Sequence, residues 1–188
     1  MNPLRRALLG SVCLLASTSA TGLAQKTYAL GLGGGATIPV GKLADTQKTG
    51  YNGIVAIAIG VADLPLGVRF DGMYNTIRGN GDVVTAPGGG TTTNSGLRVT
   101  AALANLVFAF PGTTAKAYII AGGGLYNSRP DIAGAKAQNN FGFNAGLGST
   151  FGSGPFAIFL EARYHTVSRS VAKGGVYQFV PITLGLLF

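Results

Sequence analysis

One stretch of the 188-residue chain brings a carboxylate, an imidazole and a hydroxyl close together: Glu161-Ala-Arg-Tyr-His165-Thr-Val-Ser168, which holds the single histidine. A hydrolytic triad needs the nucleophile touching the base and the base touching an orienting acid. In extended chain, successive side chains point to opposite faces. Ser168, three residues after His165, therefore faces away from it, while Glu161 shares its face four residues off. The spacing assigns no catalytic residue, and the chain reads as a non-enzyme with His165 as a polar interior or rim residue. Six acidic residues, one His and one Cys form no zinc or calcium set, so no metal and no cofactor is expected. Gly31-Leu-Gly-Gly-Gly35 and Gly122-Gly-Gly124 precede neither a helix nor a Lys-Ser/Thr pair. They read as strand glycines rather than phosphate loops. Basic residues without a recognition module do not indicate nucleic acid.

The charged residues that do share a face lie on two strand-like segments. Leu66–Arg78 places Arg69, Asp71, Met73 and Asn75 on one side, and Phe156–Val167 places Glu161, Arg163 and His165 on one side. Eight such alternating segments can be marked: Thr27–Ile38, Tyr51–Val61, Leu66–Arg78, Leu97–Phe108, Lys116–Asn127, Asn139–Phe151, Phe156–Val167 and Val176–Phe188. Most match the roughly 9–11 residues a tilted strand needs to cross a bilayer. Connections alternate in length. Those around residues 39–50, 79–96, 128–138 and 168–175 are long; those at 62–65, 109–115 and 152–155 are short.

Composition sets the environment. Only 11% of residues are charged, against about 25% in a soluble domain. Mean hydropathy is +0.37, yet beyond the leader no apolar run approaches the roughly 20 residues of a spanning helix. The 31 glycines disfavour helices. Residues 1–24 have the form of a secretory signal peptide: Arg5 and Arg6, an apolar core from Ala7 to Ala16, and Gly22-Leu23-Ala24 as the cleavage site, with Ala20 as an alternative cut. Cleavage removes Arg5, Arg6 and Cys13, taking the formal charge from +8 to +6. Residues 25–188 form one domain. Tyr28, Tyr118 and Phe156 fall near one end of the strands; Tyr51, Tyr74, Tyr126, Phe141, Phe143 and Tyr164 fall near the other, as two girdles of interfacial aromatics would.

The last segment, V-Y-Q-F-V-P-I-T-L-G-L-L-F, carries Val180, Ile182, Leu184, Leu186 and Phe188 at period two. It resembles the closing strand of bacterial outer-membrane barrels, in which a terminal aromatic after alternating apolar residues is the signal read by the barrel-assembly machinery. With the eight segments and the alternating connections, the whole mature chain resembles the small outer-membrane barrels of OmpA-like, OmpX-like and Opa-like type. The resemblance implies an eight-stranded antiparallel up-and-down transmembrane β-barrel, with long loops outside and short turns in the periplasm. The expected partners are outer-membrane lipid and lipopolysaccharide, a monomer is expected, and the resemblance implies loops that serve surface interaction or envelope integrity. No peptidoglycan-binding domain follows Phe188, so tethering to the cell wall is not expected. Lys42, Lys48, Arg78, Arg129, Lys136, Arg169 and Lys173 would face a phosphate-rich outer leaflet. The alternatives are a small passive pore and a lipid A-modifying enzyme. The segment around His165 slightly resembles the His-x-Ser region of outer-membrane lipid A deacylases, with Arg169 where they have Asn.

With apolar faces outward, Arg69, Asp71, Glu161 and Arg163 meet inside as a neutral network that plugs the lumen, with Asn75 and His165 as further polar lining. Gly31, Gly33 and Gly35 on the first strand, and Ala121 and Gly123 on the fifth, face inward and make room for it. Two strands break the pattern. In Leu97–Phe108 either Asn105 or Arg98 faces lipid, which a bulge near Ala104 would cure. Pro181 removes one ladder hydrogen bond, so a bulge or local distortion is expected there. The Gly79–Gly96 loop, with Gly88-Gly-Gly-Thr-Thr-Thr93, reads as flexible.

Overall fold

The computed structural model describes residues 28–60, 64–85, 91–93, 96–112, 115–132, 134–152, 156–169 and 175–188; the leader assigned to residues 1–24 lies outside them. Eight long strands follow in order: β1 Tyr28–Val40, β2 Gly50–Gly60, β3 Leu66–Gly79, β4 Gly96–Ala109, β5 Ala115–Pro130, β6 Gln138–Phe151, β7 Ala157–Ser168 and β8 Val176–Leu187. Each pairs antiparallel with its sequence neighbours, and β1 pairs with β8, so the sheet closes on itself. At the long-loop end, Gly41–Leu43 forms a 3-10 turn, Gln47–Lys48 bridges to Arg78 and Gly79, and Val83–Thr85 pairs with Thr91–Thr93. The 79–96 connection thus carries a short two-stranded ladder, while Gly88, Gly89 and Gly90, on which the flexible reading rests, lie outside the described residues.

Cross-strand partners give the stagger of the barrel. Starting at Leu30, the pairs run through Ile57, Phe70, Ala104, Gly123, Phe143, Thr166 and Gln178, and return to β1 at Val40, ten residues further on. That shear tilts the strands by ~40° and leaves a lumen that side chains can fill.

Outward faces are apolar: Leu106 is 66% exposed, Leu147 67% and Leu184 58%. In lipid every backbone group must pair within the sheet, and closure achieves this. The interior is of two kinds. Toward the long loops, Ile54, Met73, Ile77, Leu97, Val99 and Phe179 pack as a buried apolar core. The charged side chains Arg69, Asp71, Glu161 and Arg163 are buried deeper in the lumen, while polar Asn75 and His165 sit among the apolar residues.

Two expectations need correction, and a third takes a definite form. On β5 the phase is reversed: Tyr118 and Tyr126 are buried in the lumen with Ile120, while Ile119 and Leu125 face outward. Both faces of this strand carry large apolar groups, so alternation alone has no sign. Cross-strand partners share a face, and pairing of Tyr118 with Gly148 sets it. Gly122 and Gly124 accordingly face inward in place of Ala121 and Gly123. On β4 there is no bulge: registry with β3 runs unbroken from Leu66–Phe108 to Arg78–Gly96. Asn105 is buried, and Arg98 sits outward at the rim in an ion pair with Asp131. At Pro181 the β7–β8 ladder lacks the rungs of Arg163 and Tyr164, then resumes in the same register at His165–Phe179. Of the bulge or local distortion expected there, the structure has the local distortion, a two-rung gap, and the β1 side of Pro181 is unaffected.

Candidate functional site: a charged ring in the lumen

Arg69 and Asp71 on β3 face Glu161 and Arg163 on β7 across the barrel. Each guanidinium meets both carboxylates. Arg69 Nε lies 2.9 Å from Asp71 Oδ1 and its Nη1 2.8 Å from Glu161 Oε2; Arg163 Nη1 lies 2.7 Å from Asp71 Oδ2 and its Nε 2.8 Å from Glu161 Oε1. The four side chains close a ring of alternating sign with no surplus charge, as burial requires, since one uncompensated interior ion costs several kcal/mol.

Neutral groups add further hydrogen bonds to the ring. Tyr118 Oη donates to Glu161 Oε2 at 2.8 Å, and Asn105 Nδ2 donates to Asp71 Oδ2 at 2.9 Å. Asn144 Nδ2 donates to Asn105 Oδ1 at 2.9 Å, and Arg163 Nη2 contacts Met73 Sδ at 3.2 Å. Tyr118, Asn105 and Asn144 were not legible as members from alternation along single strands. Asn75 accepts from Thr37 Oγ1 at 3.1 Å.

Inward glycines position these partners. Tyr118, Gly148 and Glu161 occupy one cross-strand row, as do Asn105, Gly122 and Asn144. Asn52, Gly35 and Thr183 form a third, with Thr183 Oγ1 donating to Asn52 Oδ1 at 2.8 Å. In each row the two polar side chains bond over a strand that offers no side chain between them. A Cβ at Gly148 would collide with Cζ and Oη of Tyr118.

His165 does not join a triad. It is fully buried, its Nδ1 lies 2.8 Å from Tyr126 Oη, and its ring stacks on Phe179 at 5.0 Å with planes 8° apart. Ser168 is exposed on the opposite face, and Glu161 is engaged by both arginines. The terminal apolar set Val180, Ile182, Leu184, Leu186 and Phe188 lines the outside of β8 and its end. Tyr28, Tyr51, Tyr74, Phe141, Phe143, Phe156 and Tyr164 are exposed on the outer wall.

No family model matches the chain, and no curated protein matches it in sequence. Solved structures do match. Neisserial surface protein A aligns over 85% of this chain and 94% of its own, at 15% identity and a TM-score of 0.58. A major outer membrane protein from Thermus thermophilus aligns over 87% and 98%, at 14% identity and a TM-score of 0.53. The fold is therefore that of the small transmembrane β-barrels of bacterial outer membranes, in agreement with the eight-stranded architecture expected from the sequence.

Proposed function

We propose that the protein is an integral outer-membrane barrel with a closed lumen and no catalytic role, whose long loops face outward and serve surface interaction or envelope integrity. The observation that carries this reading is the neutral ring of Arg69, Asp71, Glu161 and Arg163, which joins opposite walls of a lumen already narrow enough for side chains to fill. A conducting pore keeps polar groups apart around water; here they bond to one another. The opposed faces of His165 and Ser168 speak against the deacylase alternative.

Export by residues 1–24, insertion by the barrel-assembly machinery through β8, and a monomeric state complete the reading. Planar-bilayer recording tests it. The wild-type barrel gives no steady conductance, whereas Arg69→Ala with Asp71→Ala, which deletes one wall of the ring, opens a small one. A wild-type protein that conducts steadily overturns the closed lumen. Lipid A from cells with and without the protein has the same mass profile; an acyl chain missing only when the protein is present would restore the enzyme reading.

A further inference from the structure

Three positive charges leave the barrel sideways. Among the described outward-facing residues of the eight strands, the charged ones are Arg78 on β3, Arg98 on β4 and Arg129 on β5, all at the long-loop end. Arg98 stands opposite Thr76 on one side and Arg129 on the other. The stagger lifts each strand by ~3 Å along the axis relative to the one before it. Arg78, two residues beyond Thr76, therefore comes level with the other two arginines. Asp131 pairs with Arg98, and both are half exposed. Lys48, the exposed cross-strand partner of Arg78, lies beside them, so the patch keeps a surplus of three positive charges. The outward faces of β7, β8 and β1 carry none.

Chemistry changes in order with depth below this patch. The next row is hydrogen-bonding: Tyr74, Thr100, Asn127 and Asn139 are successive partners, with Asn127 Nδ2 donating to Asn139 Oδ1 at 2.6 Å. Tyr51, Tyr74, Thr76, Arg78, Arg98 and Asp131 bound a recess of about 390 Å³. Deeper still the wall is apolar and low. Gly72, Ala102 and Ala104 lie between Val55, Phe70 and Leu125, in a groove of about 860 Å³ that reaches Phe188.

We infer that this wall docks a phosphorylated, acylated glycolipid of the outer leaflet, its phosphate on the three arginines, its sugar and amide groups on Thr100, Asn127 and Asn139, and an acyl chain in the groove. The inference deepens the outer-membrane reading above and rests on it. Guanidinium groups bind phosphate oxygens two at a time, and a cluster at headgroup level favours an anionic lipid over a neutral one. A second copy of the chain fits poorly. An isologous contact would bring six arginines together with two aspartates.

Native mass spectrometry of the barrel in detergent, titrated with lipid A, tests the site. Heat-shifted gel migration of each variant first confirms a folded barrel, which tests the outer-membrane reading separately. The wild type retains lipid A. The triple variant Arg78→Gln, Arg98→Gln, Arg129→Gln binds it about a hundredfold less tightly. Ala104→Phe, which fills the groove without altering a charge, weakens binding several-fold. Lys42→Gln with Lys136→Gln leaves it unchanged. Dephosphorylated lipid A binds poorly, and inorganic phosphate at equal concentration does not compete. Equal retention by the triple variant, or of the dephosphorylated lipid, overturns the proposal; displacement by inorganic phosphate reduces the site to an anion patch and overturns its lipid assignment.

Discussion

Tyr118 Oη donates to Glu161 Oε2 at 2.8 Å over the bare backbone of Gly148, which stands in register with both. The phenol on β5 reaches a carboxylate two strands away because β6 has no Cβ in its path. The same arrangement recurs at Gly122 and Gly35, so these inward glycines share one structural role. Each is a socket across which a polar pair closes.

Gly148→Ala is expected to push Tyr118 off Glu161 and destabilise the barrel by about 1–3 kcal/mol, the usual range for an over-packed interior. In a Tyr118→Ala background the same change costs clearly less. Two of the three atoms nearest the new Cβ belong to Tyr118, the third being the Leu160 carbonyl oxygen at 2.9 Å. Urea unfolding from lipid vesicles measures both, and equal costs in the two backgrounds would contradict the socket.

Within the ring, removing one member leaves a buried charge unpaired. Glu161→Ala is expected to cost about 3–5 kcal/mol, whereas replacing all four members with apolar residues of similar volume costs far less or stabilises. The contrast distinguishes a balanced buried network from four independent contributions. Unfolding midpoints of the two variants read it out, and a quadruple replacement as damaging as four summed single changes would contradict it.

The Arg98–Asp131 pair provides the control. Both side chains are about half exposed, so the ion pair is screened by solvent. Asp131→Asn is expected to leave the unfolding midpoint unmoved while Glu161→Gln lowers it. A loss at Asp131 comparable with that at Glu161 would show the rim pair to be structural.

Much of this was legible in the sequence because period-two alternation survives wherever the two faces of a strand differ. Arg69, Asp71, Glu161 and Arg163 stand on faces opposite Val68, Phe70, Leu160 and Tyr164, and that contrast fixed their side. On β5 it fails: Ile119 and Ile120 are equally apolar, and the large rings of Tyr118 and Tyr126 suggest a lipid girdle while they fill the lumen beside glycines. Asn105 misleads in the other direction, because its inward neighbours Leu97, Val99, Ala101 and Leu103 form an apolar core that alternation takes for a lipid face. Register, a property of pairs of strands, resolves both cases, and no single segment encodes it. The glycine sockets were invisible for the same reason. Gly148 stands thirty residues from Tyr118 in sequence, and only pairing brings them together.

The central claim is that the apolar faces meet hydrocarbon while the charges lie inside. The chain contains no tryptophan, so single substitutions report without background. Tryptophan placed at Leu106, Ile119, Leu147 or Leu184 and reconstituted in vesicles of brominated lipid is predicted to be strongly quenched; tryptophan at Tyr126 or Phe159 is predicted to be shielded. Inverted or uniform quenching between the two sets would contradict the account.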